Sequence, residues 1–144
     1  MRRYSGFTLI ELVIVIAILG ILGGIAIPRY MDAQASARGS KILADMRTLE
    51  SALTIYMVKN TISTADESSK LAFLTTSNPP YIAAIPKVPT GTAMFPKGTK
   101  FDFDSTQNYY NLYHQNGTGN YMIVLYDPGV PVTLPLTVTA LMNY

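Results

Sequence analysis

The fold is decided near the start of the chain, by residues 7–27, which read FTLIELVIVIAILGILGGIAI. Glu11 is the single charged residue among these 21. A helix rises about 1.5 Å per residue, so the run would span roughly 31 Å, the thickness of the hydrocarbon core of a bilayer. Arg2 and Arg3 precede it, and basic flanks tend to stay on the cytoplasmic side. The sequence therefore predicts a membrane-spanning helix whose N-terminus is cytoplasmic, with everything after Ile27 outside.

Two ordinary explanations compete for this run, a cleaved secretory signal and a plain single-pass anchor. A secretory signal has about 7–15 apolar residues before a small-residue cleavage site. This run is longer, and only Gly23 and Gly24 offer small residues near its end. A plain anchor fits the length but does not explain Glu11, because a carboxylate at the membrane centre costs on the order of 2.5–3.5 kcal/mol. The rest of the span has no cation, so we expect a cationic partner for Glu11 from elsewhere.

The helical pattern continues after the apolar run and becomes amphipathic. One apolar stripe repeats at intervals of four and three residues and consists of Ile42, Met46, Leu49, Leu53 and Tyr56. Too few heptads are present to favour a coiled coil. The pattern predicts one helix from Phe7 to Asn60, whose second half holds a globular head.

Four residues weaken the helix between its two halves: Gly20, Gly23, Gly24 and Pro28. Each glycine costs roughly 1 kcal/mol relative to alanine in a helix interior. Pro28 cannot donate a hydrogen bond to the carbonyl of Gly24, and its ring crowds that residue. The stretch 20–28 is therefore predicted to be where the helix softens.

The rest of the chain divides into a connection and a sheet. Residues 61–98 contain five prolines, which exclude regular helix and central strand where they stand, and a capping-box pattern at Thr64 and Glu67 predicts a short helix at about 65–74. Residues 99–144 are predicted to form an antiparallel sheet. Its strands are the alternating run at Phe101 and Phe103, residues 108–114, residues 120–126 after a turn at 115–119, and residues 132–138. The fold class is α+β.

Composition excludes several classes of function. The chain has 11 basic and 9 acidic residues, a formal charge of +2, and no cysteine, so charge alone does not suggest nucleic-acid binding and no thiolate site is possible. His114 is the single histidine, and no nucleotide-binding loop or zinc-protease motif is present. Asp102, Asp104 and Asp127 could supply calcium oxygens, but alternation along a strand and a turn explain them more simply. We expect no enzyme activity, cofactor or metal.

The residues Gly6-Phe7-Thr8-Leu9-Ile10-Glu11-Leu12 resemble the class III signal of type IV prepilins and type II secretion pseudopilins. The resemblance covers about the first 50 residues. It implies that a prepilin peptidase cuts between Gly6 and Phe7 and methylates the new amine of Phe7. Residues 1–6 would then be a leader peptide, residues 7–28 the membrane-spanning and filament-core half of the helix, and residues 29–60 its amphipathic half.

The resemblance also implies an assembly mechanism. Cleavage creates an ammonium on Phe7, and in the family the glutamate of an incoming subunit is thought to meet the amine of a neighbour while the apolar stems pack. The partners implied are other copies of the chain, the prepilin peptidase, the assembly platform and ATPase, minor pilins and the cytoplasmic membrane before assembly. The overall form implied is a ladle, with a helical handle that is partly unwound at 20–28 after assembly.

The function implied is structural. The leading expectation is an extracellular type IV pilus used for adhesion, twitching motility or DNA uptake. The alternatives are a type II secretion or competence pseudopilin, which forms a short filament, and an unassembled single-pass binding domain. Major secretion pseudopilins characteristically carry a C-terminal calcium loop, which the sequence does not let us place, so the expectation leans toward a pilus.

Overall fold

The computed structural model of the chain describes residues 6–63, 71–115, 120–128 and 136–143. Its largest element is helix α1, Leu9–Lys59, with 51 residues. The predicted long helix from Phe7 to Asn60 is therefore confirmed, with a start two residues later and an end one residue earlier. The chain divides into two compact units, Met1–Gln34 and Ala35–Tyr144.

In the first unit, α1 exposes its large apolar side chains on every side. Phe7 is 84% exposed, and Val15, which is the least exposed of them before Pro28, is still 46% exposed. The helix is long and apolar enough to cross a membrane. Water is a poor solvent for such a surface, so this half of the helix requires lipid or other apolar helices around it.

The second unit is the head, and it contains short helices and two antiparallel sheets. After α1 its elements are α2 (Phe73–Thr76), β1 (Gly91–Met94), β2 (Lys100–Phe103), β3 (Tyr109–Gln115), β4 (Asn120–Tyr126) and α3 (Val138–Asn143). Strand β1 pairs with β2, and β3 pairs with β4 in a register that sets Tyr109 opposite Tyr126. The prediction of an α+β fold is confirmed.

The core of the head forms around the predicted stripe of α1. Ile42, Met46 and Leu49 are fully buried, and Leu53 and Tyr56 are nearly so. They belong to one apolar cluster with residues from every sheet strand and both short helices, including Leu74, Ala93, Phe103, Leu112, Ile123 and Leu141. The expectation that the sheet covers the helix stripe is thus confirmed, and its physical basis is the burial of apolar area.

One polar link joins this helix to the sheet through the core. Tyr110 is 1% exposed, and its hydroxyl donates to Asp45 Oδ2 at 3.1 Å. Burial and the neighbouring carboxylate raise the pKa of Tyr110, so the phenol stays protonated and remains a donor. Lys41 forms an ion pair with the same carboxylate oxygen, which satisfies Asp45 from its solvent side.

Two predictions for the head require correction. Residues 61–98 were expected to contain no strand, yet β1 occupies Gly91–Met94. The flanking Pro89 and Pro96 bound this strand without interrupting it, which is how prolines are tolerated beside a sheet. The predicted sheet is also divided into two separate pairs of strands.

The predicted last strand, residues 132–138, is wrong at its end. Leu136 makes a single bridge, accepting a hydrogen bond from Leu125 N at 3.0 Å, and Val138 begins α3. Thr137 Oγ1 accepts a bond from Ala140 N at 3.1 Å, so Thr137 caps the helix. The three-residue spacing of buried Val138 and Leu141 then suits a helix.

Other predicted features lie wholly or partly outside the described residues. These are the leader up to Ser5, the capping box at Thr64 and Glu67, the turn at 116–119 and the strand residues before Leu136. Helix α2, Phe73–Thr76, lies at the end of the short helix predicted at 65–74.

Glu50 of α1 gives the head a pH dependence. Burial raises the pKa of Glu50, and the positive charge of Arg47 acts against this. The folded state then holds the proton more tightly than the unfolded state, so the free energy of unfolding falls as the pH rises past the unfolded pKa. We expect Glu50→Gln to melt at a higher temperature than the parent at pH 7, with the difference vanishing at about pH 4.

Asp104 supplies the matched control, measured by circular dichroism on the full chain in detergent. Hydrogen bonds from the Thr106 amide and hydroxyl lower the pKa of Asp104, so its stabilising effect is present above the unfolded pKa and disappears as the pH falls. Asp104→Asn should therefore melt lower than the parent at pH 7. A lower melting temperature for Glu50→Gln at pH 7 would contradict the assignment of Glu50.

Candidate functional site

The predicted cleavage position lies just before α1. Gly6, Phe7 and Thr8 are not helical, and all three are exposed. A Cβ atom added at Gly6 would meet nothing within 4 Å, so the subunit itself imposes no need for glycine there. A requirement for glycine at this position would therefore come from an enzyme that binds the segment.

Glu11 lies in the first turn of α1 and forms a reciprocal capping box with Thr8. Its Oε2 accepts hydrogen bonds from the amide and the hydroxyl of Thr8, both at 2.8 Å. In return, Glu11 N donates to Thr8 Oγ1 at 3.3 Å. This arrangement satisfies free amides at the helix start and fixes Leu9 as the first helical residue.

Sequence analysis sought a cation for Glu11 and missed Thr8. The T-x-x-E spacing was available as a signal, since the same pattern was identified at Thr64 and Glu67. The described bonds to the carboxylate all use Oε2, so Oε1 remains available to a donor from outside this part of the chain. The cap is thus compatible with a second, external partner.

The four softening residues lie inside α1, which is helical through Pro28. A Cβ atom at Gly20 or Gly24 would meet nothing within 4 Å, and one at Gly23 would reach only Ile27 Cδ1, at 4.0 Å. Alanine would fit at each of them in the isolated subunit. Their role as helix-weakening or close-contact positions therefore belongs to the assembled state and stays a prediction.

Gly39 is a structurally demanding residue that sequence analysis missed. A Cβ atom there would lie 2.1 Å from the carbonyl oxygen of Met94 in β1. Beside it, Arg38 Nη1 donates to the carbonyl oxygen of Thr92 at 3.2 Å. These two neighbouring residues hold β1 directly on the helix backbone.

The residues considered for metal or catalysis have structural partners. His114 stacks on Tyr121 with ring centroids 4.7 Å apart. Asp102 accepts a bond from Thr92 Oγ1 at 2.6 Å, and Asp104 accepts two from Thr106. Among the described residues, no three histidine, aspartate or glutamate side chains come together as a metal site.

Comparison with known proteins gives the family. Residues 1–27 match the prokaryotic N-terminal methylation motif. Over 100 residues the chain is 33% identical to type II secretion system core protein G of Vibrio cholerae, a match that covers 63% of this chain and 68% of that protein. The chain belongs to the family of type IV pilins and type II secretion pseudopilins.

Two further relatives show how this pilin-type subunit is related to each branch of the family. It is 35% identical over 103 residues to core protein G of Klebsiella michiganensis, covering 63% of this chain and 72% of that protein. It is 46% identical over 52 residues to a fimbrial protein of Pseudomonas aeruginosa, covering 36% and 34%. The secretion matches are about twice as long as α1 and so include part of the head. No solved structure matches the chain significantly.

Proposed function

We propose that the chain is made as a membrane-held precursor, is cleaved between Gly6 and Phe7, and polymerises through α1 into a filament. The observation that carries this proposal is the exposed apolar surface of α1 before Pro28, together with the exposed, non-helical segment from Gly6 to Thr8. The first needs lipid before assembly and neighbouring helices after it. The second is accessible to a processing peptidase.

Apolar packing alone would not set the register of such a filament. A bundle of apolar helices is no more apolar than lipid, so the hydrophobic effect favours neither environment strongly. A polar pair buried among the stems does select one register, because leaving either member unpaired costs about 3–5 kcal/mol. Glu11 is the one charged side chain between Phe7 and Ile27 and is our candidate for this role.

Cleavage supplies the second member of the pair. It creates an ammonium on Phe7, and removal of Arg2 and Arg3 changes the formal side-chain charge from +2 to 0. The ammonium of a neighbouring subunit could bond Glu11 Oε1 while Thr8 retains Oε2. The competing arrangement is a pair within one subunit, since Phe7 and Glu11 are four residues apart.

The longer relatives favour a secretion-type filament over a pilus. Similarity to secretion subunits extends into the head, whereas the quoted fimbrial match is as short as α1. We therefore propose a pseudopilus subunit first and a type IV pilus subunit second. The peptidase, the assembly platform with its ATPase, and minor pilins are the proposed partners, with the precursor in the cytoplasmic membrane and the filament outside it.

Processing is tested by intact mass spectrometry of the subunit made together with a prepilin peptidase. We expect a chain that begins at Phe7 and carries one added methyl group. Gly6→Val should remain uncleaved, because its branched side chain occupies the segment that the enzyme binds, while Ser5→Ala should be cleaved as the parent is. A parent chain that keeps residues 1–6 and stays in the membrane would support a plain anchor instead.

Electron microscopy of sheared surface material separates the two kinds of filament. Long surface fibres containing the chain at ordinary expression would favour a pilus. Fibres that appear only when the subunit is overproduced would favour a pseudopilus.

A further inference from the structure

The head contains a second candidate binding site, a cavity of about 380 Å³. It lies between the loop Ile85–Val88 and the segment from Ser105 to Tyr110, which leads into β3. Its lining residues are Ile85, Pro86, Lys87, Val88, Ser105, Thr106, Asn108, Tyr109 and Tyr110. The volume is within the range of pockets that hold small ligands or single side chains.

The walls of this cavity are mostly apolar. Ile85 and Pro86 are half-buried, Val88 is buried, and the ring of Tyr109 is half-buried where it stacks on Tyr126. An apolar group entering the cavity would replace water against these surfaces, which is favourable.

The polar wall groups are already engaged within the head. Asn108 accepts from Asp104 N at 2.6 Å and donates to the Tyr126 carbonyl at 3.2 Å. Ser105 and Thr106 bond to Thr90 and Asp104 respectively, and the Tyr110 hydroxyl is directed to Asp45. These side chains therefore offer a ligand little further hydrogen bonding.

Lys87 differs from the other lining residues. It is exposed, and in the described part of the chain its ammonium has no hydrogen-bond or ion-pair partner. Its carbonyl accepts a bond from Lys41 at 3.4 Å. The carboxylate nearest in sequence to the cavity lining, Asp104, is held by two bonds from Thr106. The cavity thus combines apolar walls with one uncommitted cation.

We propose that this cavity binds a peptide segment of a partner protein in which an apolar side chain lies next to a carboxylate. The apolar side chain would occupy the space between Ile85, Val88 and Tyr109. The carboxylate would pair with Lys87. The proposal does not depend on processing or on filament assembly, because every residue in it belongs to the head.

The test uses N-acetylphenylalanine as the probe, titrated into the isotope-labelled full chain in detergent micelles and followed by NMR. We expect shifts confined to the cavity and a Kd on the order of 1 mM, as a ligand of about 15 non-hydrogen atoms allows. The uncharged amide of the same probe should bind about threefold to fivefold more weakly, the effect of one exposed ion pair.

Variants separate the charge from the cavity. Lys87→Met should weaken the acid to the level of the amide and leave the amide unchanged, while Lys87→Arg should bind the acid as the parent does. Equal affinity of the parent for acid and amide, or shifts located away from the cavity, would overturn the proposal.

Discussion

Replacing Gly39 by alanine is expected to destabilise the head by about 3 kcal/mol, the upper part of the usual range for overpacking. The added Cβ atom would lie 2.1 Å from the Met94 carbonyl oxygen and 2.9 Å from its carbon. Both partners are backbone, so no side-chain rotation relieves the clash, and β1 must move away from α1. The usual gain of about 1 kcal/mol from replacing glycine in a helix is too small to offset this cost.

The measurement is thermal unfolding of the full chain in detergent, followed by circular dichroism. A loss of about 3 kcal/mol corresponds to a fall of roughly 10 °C in Tm for a chain of this size. Gly24→Ala is the matched control, because a Cβ atom there meets nothing within 4 Å. It should leave Tm unchanged or raise it, and a Gly39→Ala variant as stable as that control would disprove the close contact.

Gly39 also shows what the sequence does not reveal. A glycine in a helix signals weakness in the helix itself, whereas the demand at Gly39 comes from Met94, 55 positions further along the chain. The stripe from Ile42 to Tyr56 was predictable because helical spacing is a local property. The contact of one backbone with another depends on the tertiary fold and leaves no periodic pattern.

The end of the chain was misread for a related reason. Alternating apolar and threonine residues from Val132 to Val138 favour a strand locally, but Thr137 caps α3 and Leu141 is buried one turn later. Both readings were compatible with the residues. Packing of Val138 and Leu141 in the core selected the helix, as tertiary context often does.

The candidate site at the helix start was easier to derive, because its residues are adjacent in the sequence. The Gly6–Leu12 motif and the isolated charge of Glu11 identified the segment without any tertiary information. The bond that the structure adds, between Thr8 and Glu11, also lies within one turn. An ammonium from another subunit cannot be found in a single chain, so its part in the site needs a separate experiment.

Substitutions at Glu11 should provide that experiment by separating its charge from its capping role. We expect Glu11→Ala to be made and cleaved but to reduce filament yield a hundredfold or more, since an ammonium left without its partner in the stems costs about 3–5 kcal/mol. Glu11→Gln keeps an oxygen that can accept from Thr8 but carries no charge, so it should also fail to assemble. Thr8→Val removes the hydroxyl of the cap and keeps the charge, and should lose far less.

Filament yield is measured in sheared material, and cleavage by the intact mass of the subunit left in the membrane. Comparing the two quantities distinguishes a subunit that cannot assemble from one that was never processed. If charge pairing sets the register, both Glu11 variants accumulate as cleaved, membrane-held subunit. If Glu11→Gln gives filaments at the parent level, the carboxylate serves only to cap α1, and the register must be set by the packing of the apolar stems.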